Sequence, residues 1–515
     1  MMKISLIIFF LFLIITSSIL FIDSVYFINK LTVFIITNLI LIFSSTVQIF
    51  YLKKKYPTIF FANPPVLCTI FTFLIPFSFT NIFINPITLQ EIVNFTSLSK
   101  LYFIIINALN IMWVGYWFSD FIINKTNPGQ VYIDKLKKIL VLPYNKVNFL
   151  FLLSMIFIYL MSFLLMNYLN VYGYFSNINK LNQFKNYLYL FRLMYDLIWI
   201  VFITLTLLIF YKKQNISIYI LYLIVLLCIF FTEALSGFKV GIFLPFSIIF
   251  FIFYIFKNRF SYSILFIAIF FLFISYLIIP EFRKMSDKFH INELEPKSFK
   301  IIDNHFNLFK QNQNIFKEQS KGEQSKGNEF FLKLSYIFLD VSLRLNQLHD
   351  SSHLLEITTS FPNLSSEKEK PKFMQAIFLA PFTAIIPRII WENKPLNLES
   401  NWSTILLYRF DCMKKKNNNC DRLTVSGSTG MSSFLYSYFA GGIIFVLIFY
   451  FFIGFLQNLI FSLFSPGKYL APTLLFLILT FKISFIDSAI YGIISFFFRE
   501  LIILFFMQYL LVKKN

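Results

Sequence analysis

Apolar runs of about twenty residues recur along this chain, and that feature limits its folds more than any other. About twenty apolar residues in a helix cross a bilayer. Runs of this kind fall at 4–22, 31–51, 59–84, 101–119, 147–169, 188–210, 216–232, 240–256, 261–280, 434–460, 468–485 and 488–512. The chain is 58% hydrophobic and only 14% charged, against roughly 25% charged in a soluble domain. Backbone in lipid must satisfy its own polar groups, and continuous apolar runs do so as helices. The expected fold is an all-α polytopic membrane protein of about 12 transmembrane helices. Spans one to nine occupy 1–280, a large extracytoplasmic loop 281–431, and spans ten to twelve 432–515. The first run follows Lys3, but no small-x-small cleavage site succeeds it, so it reads as an uncleaved helix.

The net charge of +20 raises the question of nucleic acid. No basic patch is interleaved with aromatics in a soluble module, so nucleic acid is not expected as a partner. The basic residues follow the spans instead. With the N-terminus inside, the cytoplasmic segments hold Lys3, Lys53, Lys54, Lys55, Lys125, Lys135, Lys137, Lys138, Lys146, Lys212, Lys213, Lys257, Arg259, Lys468, Lys513 and Lys514. The opposite short loops hold Lys30, Lys100, Lys180, Lys185 and Lys239. This asymmetry fits both termini cytoplasmic, and an odd number of spans breaks it.

Residues 281–431 then face outward and carry 17 of the 25 acidic residues. The tandem "EQSKGEQSKG" at 318–327 is solvated linker. Residues 329–349 have helical periodicity. Residues 373–386, "FMQAIFLAPFTAII", are apolar but broken by Pro381, and suit an interfacial or re-entrant segment. Cys412 and Cys420 bracket "MKKKNNN", where an extracytoplasmic location permits a disulfide. Cys68 and Cys228 fall inside apolar spans and read as packing residues. No Cys or His spacing reads as a zinc site.

Several polar groups stand out against this background. In "IIPRIIWENKP" at 385–395, Arg388 and Lys394 flank Trp391. A guanidinium fork matches phosphate oxygens and an ammonium adds a point charge. The tryptophan can stack on a sugar or sit at the membrane boundary, and interfacial anchoring stays open for all three. "TEALSGFKVG" at 232–241 joins two spans by a short turn with Glu233 and Lys239 near its ends. A carboxylate close to lipid suits a general base; a Glu capping the turn and a snorkelling Lys is the other reading. Arg192 and Asp196, four apart in the sixth span, mark either a polar pathway or an ion pair. Lys482, Asp487, Arg499 and Glu500 read mainly as structural. Asp340, Arg344, His349 and His353 share one helical stretch. The two histidines have metal-capable i,i+4 spacing, yet no Glu follows His349 directly, and a solvated face is the expectation for both. "LTVSGSTG" at 423–430 is a polar, glycine-containing approach to the tenth span.

Three of these segments carry a family resemblance. "SGFKVG", "IIPRIIWENKP" and "STGMSSFLYSYFAGGIIFVLIFYFFIGFL" resemble, in order and around a large outer loop, motifs of O-antigen polymerases and related oligosaccharide repeat-unit polymerases. The likeness covers residues 190–460 in outline, and the middle motif is the most specific. Lys239 stands where arginine is usual, Glu392 and Asn393 replace a Pro–Asp pair, and Ala440 stands where glycine is common. The resemblance implies a metal-independent inverting glycosyltransferase of the GT-C type, without a cofactor, in the bacterial plasma (inner) membrane. Its substrate is a polyprenyl-diphosphate-linked oligosaccharide, joined to others on the outer face of that membrane. Membrane lipid and a chain-length regulator are the further partners considered. By resemblance Lys239, Arg388 and Lys394 bind the diphosphate, and Arg192 and Arg344 join them on physical grounds. Trp391 and Tyr436 are sugar-binding candidates. The base is expected to be Glu233, then Asp340 or Glu392. A lipid-linked oligosaccharide flippase and an O-antigen ligase are the alternatives.

Overall fold

The computed structural model describes residues 2–26, 30–57, 60–79, 95–125, 131, 134, 147–172, 183–211, 215–236, 239–271, 348–360, 373–386, 391, 402–403, 406–407, 432–464, 473–474 and 476–480. Among them the regular structure is helical, without a β-strand. The helices are α1 (Met2–Tyr26), α2 (Lys30–Lys55), α3 (Pro64–Phe77), α4 (Phe95–Lys125), α5 (Phe149–Tyr168) and α6 (Lys185–Tyr211). They continue with α7 (Ile216–Ser236), α8 (Lys239–Lys257), α9 (Tyr262–Phe271), α10 (Leu348–Ser360), α11 (Phe373–Ile385) and α12 (Ser433–Leu463). Seven of the described helices, α1, α2, α4, α5, α6, α7 and α12, are long and apolar enough to cross a membrane. Their apolar side chains are exposed in rows: Ile7, Phe10, Leu11 and Ile14 on α1, and Phe157, Leu160, Met161 and Leu164 on α5. Water would penalise such rows, whereas lipid tails accept them. The protein is therefore an all-α, membrane-embedded chain.

Local chemistry explains where the helices begin and end. Asn148 caps α5 by accepting from the Phe151 backbone N–H at 3.4 Å. Pro64 and Pro65 open α3, where a missing N–H costs nothing. Lys53, Lys54 and Lys55 close α2 against the negative end of its dipole. At the end of α5, Asn170 takes φ 55° and the Val171 N–H reaches back to Met166 O at 2.9 Å. This is a Schellman closure, which frees the chain to fold back. In α3, residues Thr69–Leu74 widen into a π-helical turn.

Contacts between named residues give the helix directions. Ser5 meets Gln48 and Phe12 meets Phe43, so α1 and α2 are antiparallel. Asn110 accepts from Ser44 and Gln48 accepts from the Trp117 indole, so α2 and α4 are parallel. Asn63 meets Tyr116, Trp113 donates to Thr69, and the Tyr102 hydroxyl donates to Phe77 O; α3 runs against both. Tyr450 packs on Phe73, Phe461 packs on Tyr56 and Asn458 donates to Ser119, so the longer part of α12 runs against α3 and parallel to α4. Phe61, just before α3, packs on Tyr254 and Phe260 at 5.9 and 5.5 Å. That contact places the last turn of α8, with Lys257 and Arg259, at the same end as Lys53, Lys54 and Lys55. The opposite end gathers the start of α4, the end of α7 and the start of α8.

The core sits along α4, whose bulkiest side chains, Trp113, Tyr116 and Trp117, are fully buried. Its seam with α12 closes to backbone contact. A Cβ on Gly454 would lie 1.8 Å from the Met112 carbonyl oxygen, and one on Gly115 would lie 2.0 Å from that of Phe451. Small residues permit such approach between membrane helices, where packing rather than hydrophobicity drives association. At the basic end Lys55 pairs with Asp120 and lies against the Tyr56 and Trp117 rings.

α12 is broken. Gly441 has φ −162°, ψ 29° and Gly442 φ 68°, ψ −163°, the latter a conformation essentially reserved for glycine. The break swings Ser433–Ala440 beside the longer part, so that the Ser433 hydroxyl meets the Tyr450 hydroxyl at 2.6 Å. Seventeen residues of straight helix would rise about 25 Å, far beyond a tyrosine's reach. The short half is buried, with Phe434 edge-on to Phe77 and Tyr436 edge-on to Phe373. α11 has 13 residues and contains Pro381. At about 20 Å it is too short to cross, as its interrupted sequence predicts.

Candidate functional site

The end of α7 carries Glu233, a carboxylate only 9% exposed in an apolar bundle. Three helices and one turn enclose it. The Tyr195 hydroxyl, from α6, donates to Glu233 Oε1 at 3.1 Å. The Tyr172 hydroxyl lies 2.8 Å from that of Tyr195 and donates to the Thr232 carbonyl at 2.7 Å. The Tyr159 hydroxyl, from α5, pairs with Thr232 Oγ1 at 2.6 Å, and Thr232 Oγ1 donates to Cys228 O at 2.8 Å. The Tyr195 ring packs on Tyr159 and Tyr172 with centroids 5.1 and 5.6 Å apart. Phe163 closes the far side of Tyr172 edge-on at 5.1 Å.

The fold-back at Asn170 brings Tyr172 into this group, and a bond from Ser162 Oγ to Phe191 O at 2.8 Å ties α5 to α6 beside it. Burial is the main reason the Tyr172 phenol is held above its ordinary range, so it stays protonated. A buried carboxylate with an oriented phenol donor has the elements of an acid–base group: a fixed direction, little bulk water and a proton partner.

Two further predicted residues share this end. Arg192 lies one turn before Tyr195 on α6, and Lys239 opens α8 after a two-residue link from Ser236. The backbone thus brings Glu233, Arg192 and Lys239 to one end of α6, α7 and α8. Asp196 is exposed on α6. Lys100 at the same end sits over the Tyr438 ring at 5.1 Å. Trp391 is half-buried. Arg388, Lys394, Arg344, Asp340, Glu392, Cys412 and Cys420 lie outside the described residues, as do Lys482, Asp487, Arg499 and Glu500.

Tyr436, a sugar-binding candidate, is fully buried with its ring edge-on to Phe373. One expectation changes. His353 is not on a solvated face: it is 5% exposed, with Nδ1 3.3 Å from Glu356 Oε2. α10 packs on α4. Among the described residues no three His, Cys, Asp or Glu side chains group as metal ligands.

Sequence reading missed Tyr159, Tyr172, Tyr195 and Thr232. The chain has 28 tyrosines, and these three converge only through the packing of α5, α6 and α7. The one available signal was the adjacency of Thr232 to Glu233 and of Tyr195 to Asp196.

Fold and site together define a membrane-embedded helical protein with a carboxylate–tyrosine cluster at one end of its bundle. No known protein family, curated protein or solved structure matches the chain.

Proposed function

We propose that this protein is a membrane glycosyltransferase of the GT-C type that polymerises polyprenyl-diphosphate-linked oligosaccharide repeat units on the outer face of the bacterial plasma membrane. The observation that carries the reading is Glu233, buried and oriented by Tyr195 at the bundle end where Arg192 and Lys239 are also placed. In this scheme Glu233 removes the proton from the acceptor hydroxyl. Lys239 and Arg192, with Arg388, Lys394 and Arg344 from the large loop, bind the diphosphate and stabilise charge on the leaving group. Trp391 stacks on a sugar. Asp340 and Glu392 are the alternative bases.

The membrane arrangement belongs to the same proposal: twelve spans with both termini cytoplasmic. The parallel course of α4 and α12 supports it, because two helices of like direction need an odd number of crossings between them, and the five spans expected at 147–169, 188–210, 216–232, 240–256 and 261–280 are odd in number. The grouping of Lys53, Lys54, Lys55, Lys257 and Arg259 at the end opposite Glu233 supports a cytoplasmic assignment for that end.

A flippase is the second reading, favoured by the break at Gly441–Gly442, since transporters bind substrate at broken helices. The glycan profile of a deletion strain decides between them. Loss of long polymer with single repeat units on the outer leaflet is the expected result, and Arg388→Ala reproduces it. Repeat units trapped on the inner leaflet would assign a flippase. Polymer that forms but is not passed to its final acceptor would assign a ligase.

A further inference from the structure

Below the Gly454 crossing, α12 carries Gln457 and Asn458, both fully buried. Asn458 Nδ2 donates to Ser119 Oγ at 3.2 Å, but its Oδ1 meets no partner. Neither amide atom of Gln457 has a nitrogen or oxygen partner, nor has Oγ1 of Thr480, also fully buried. A dry, unpaired amide at this depth is heavily penalised, so four such atoms need an explanation.

Helix register brings them together. Residues 476–480 are helical and meet α12 where Phe476 packs on Phe461 at 6.1 Å. A short connection makes consecutive helices antiparallel neighbours. Gln457 is one turn before Phe461 on the same face, and Thr480 is one turn after Phe476 on the same face. An antiparallel course sets Thr480 level with Gln457 across that contact, and neither group has a hydrogen bond to the other. On the other side of Gln457 lies Cys68, whose thiol faces the Gln457 amide and the Thr72 hydroxyl. Sulfur accepts only weakly, so it leaves the amide short of a full partner. Cys68 also borders the π-helical turn Thr69–Leu74, a backbone irregularity common where helices line a site.

We infer that Gln457, Asn458, Thr480 and Cys68 enclose an internal polar site occupied by ordered water. The unpaired set includes both a donor, Gln457 Nε2, and acceptors, Gln457 Oε1 and Asn458 Oδ1. Water answers both, and internal waters make about three such bonds. A bare cation would answer only the oxygens. The site lies toward the opposite end of the bundle from Glu233 and is independent of the proposed glycosyl transfer.

The test uses the full-length protein in lipid nanodiscs. A double-mutant cycle combines Gln457→Leu with Thr480→Val and follows reversible unfolding. Each single substitution strands the water's remaining partners and lowers the folded-to-unfolded ratio about tenfold. Because both groups hold the same water, the double variant falls at most about twofold below the worse single. Higher stability in Gln457→Leu would mean a dry unpaired amide, and strictly additive losses would mean separate sites; either overturns the inference. Sodium dependence of the wild-type midpoint, with choline as the control cation, would assign a cation and overturn it as well. Where a variant does not fold, X-ray radiolytic labelling of the wild type in 18O water decides: Cys68 takes up label well ahead of the equally buried Met112. Equal protection of the two would refute an adjacent water.

Discussion

Replacing Gly454 by alanine tests the α4–α12 seam, on which the buried core depends. The added Cβ would lie 1.8 Å from the Met112 carbonyl oxygen, 2.7 Å from its carbon and 2.9 Å from the Tyr116 nitrogen. All three are backbone atoms, so no side-chain rotation relieves them. Ordinary contact begins at 3.4 Å, so the two helices must part by roughly 1.5 Å along this line. Overpacking a well-packed core costs about 1–3 kcal/mol. A gap of ~1 Å already forfeits up to about half of each dispersion contact along the seam. The expected loss is thus at the top of that range, about 3 kcal/mol or a hundredfold in the folding equilibrium. The assay is SDS-titrated unfolding of the purified full-length protein in mixed micelles, followed by tryptophan fluorescence. Gly115→Ala should cost a similar amount, and the double variant less than the sum, because one separation relieves both clashes. Ile444→Ala, on the outward face of α12 at 69% exposure, is the control and should be nearly silent. A Gly454→Ala protein within about 0.5 kcal/mol of wild type would refute the backbone contact.

Gly442→Ala meets no atom within 4 Å, so its cost is conformational: about 1–3 kcal/mol for holding a non-glycine residue at that φ and ψ, read in the same titration. Tyr195→Phe removes the donor to Glu233 while keeping the ring. A bond to a charged group is worth about 1.5–3 kcal/mol, so polymer synthesis by membranes should fall about ten- to hundredfold, and unchanged synthesis would remove Tyr195 from the mechanism. Glu233→Gln should fall at least as far, with the protein still present at normal levels on an immunoblot. Asp120→Asn leaves Lys55 without its ion partner in a half-buried setting, and a loss of about 1–2 kcal/mol is expected in the SDS titration.

Much of the architecture was legible because a bilayer makes one demand on every crossing segment. Internal backbone bonding and an apolar surface leave a long, readable run, and α1, α2, α4, α5, α6, α7 and α12 appear where such runs lie. Pro381 and the 13-residue length of α11 likewise marked a segment that does not cross. Glu233 was legible as an acid beside a turn in a lipid-like stretch. Its partners were not, since the phenols of Tyr159, Tyr172 and Tyr195 lie on three separate segments and no local pattern separates them from other tyrosines. Gly115 and Gly454 escaped notice for a similar reason: each helix contributes a single glycine to the close approach.

The sequence by itself therefore determined the helical, membrane-embedded class, the placement of most of its helices and the presence of an acid near lipid, because these follow from the free energy of single segments in water or hydrocarbon. Only the tertiary structure decided that α4 and α12 run parallel in backbone contact, that α12 folds back at Gly442, that Tyr436 and His353 are buried, and that Tyr195 holds Glu233. Those facts arise from packing between segments distant in the chain, whose energies no single segment encodes.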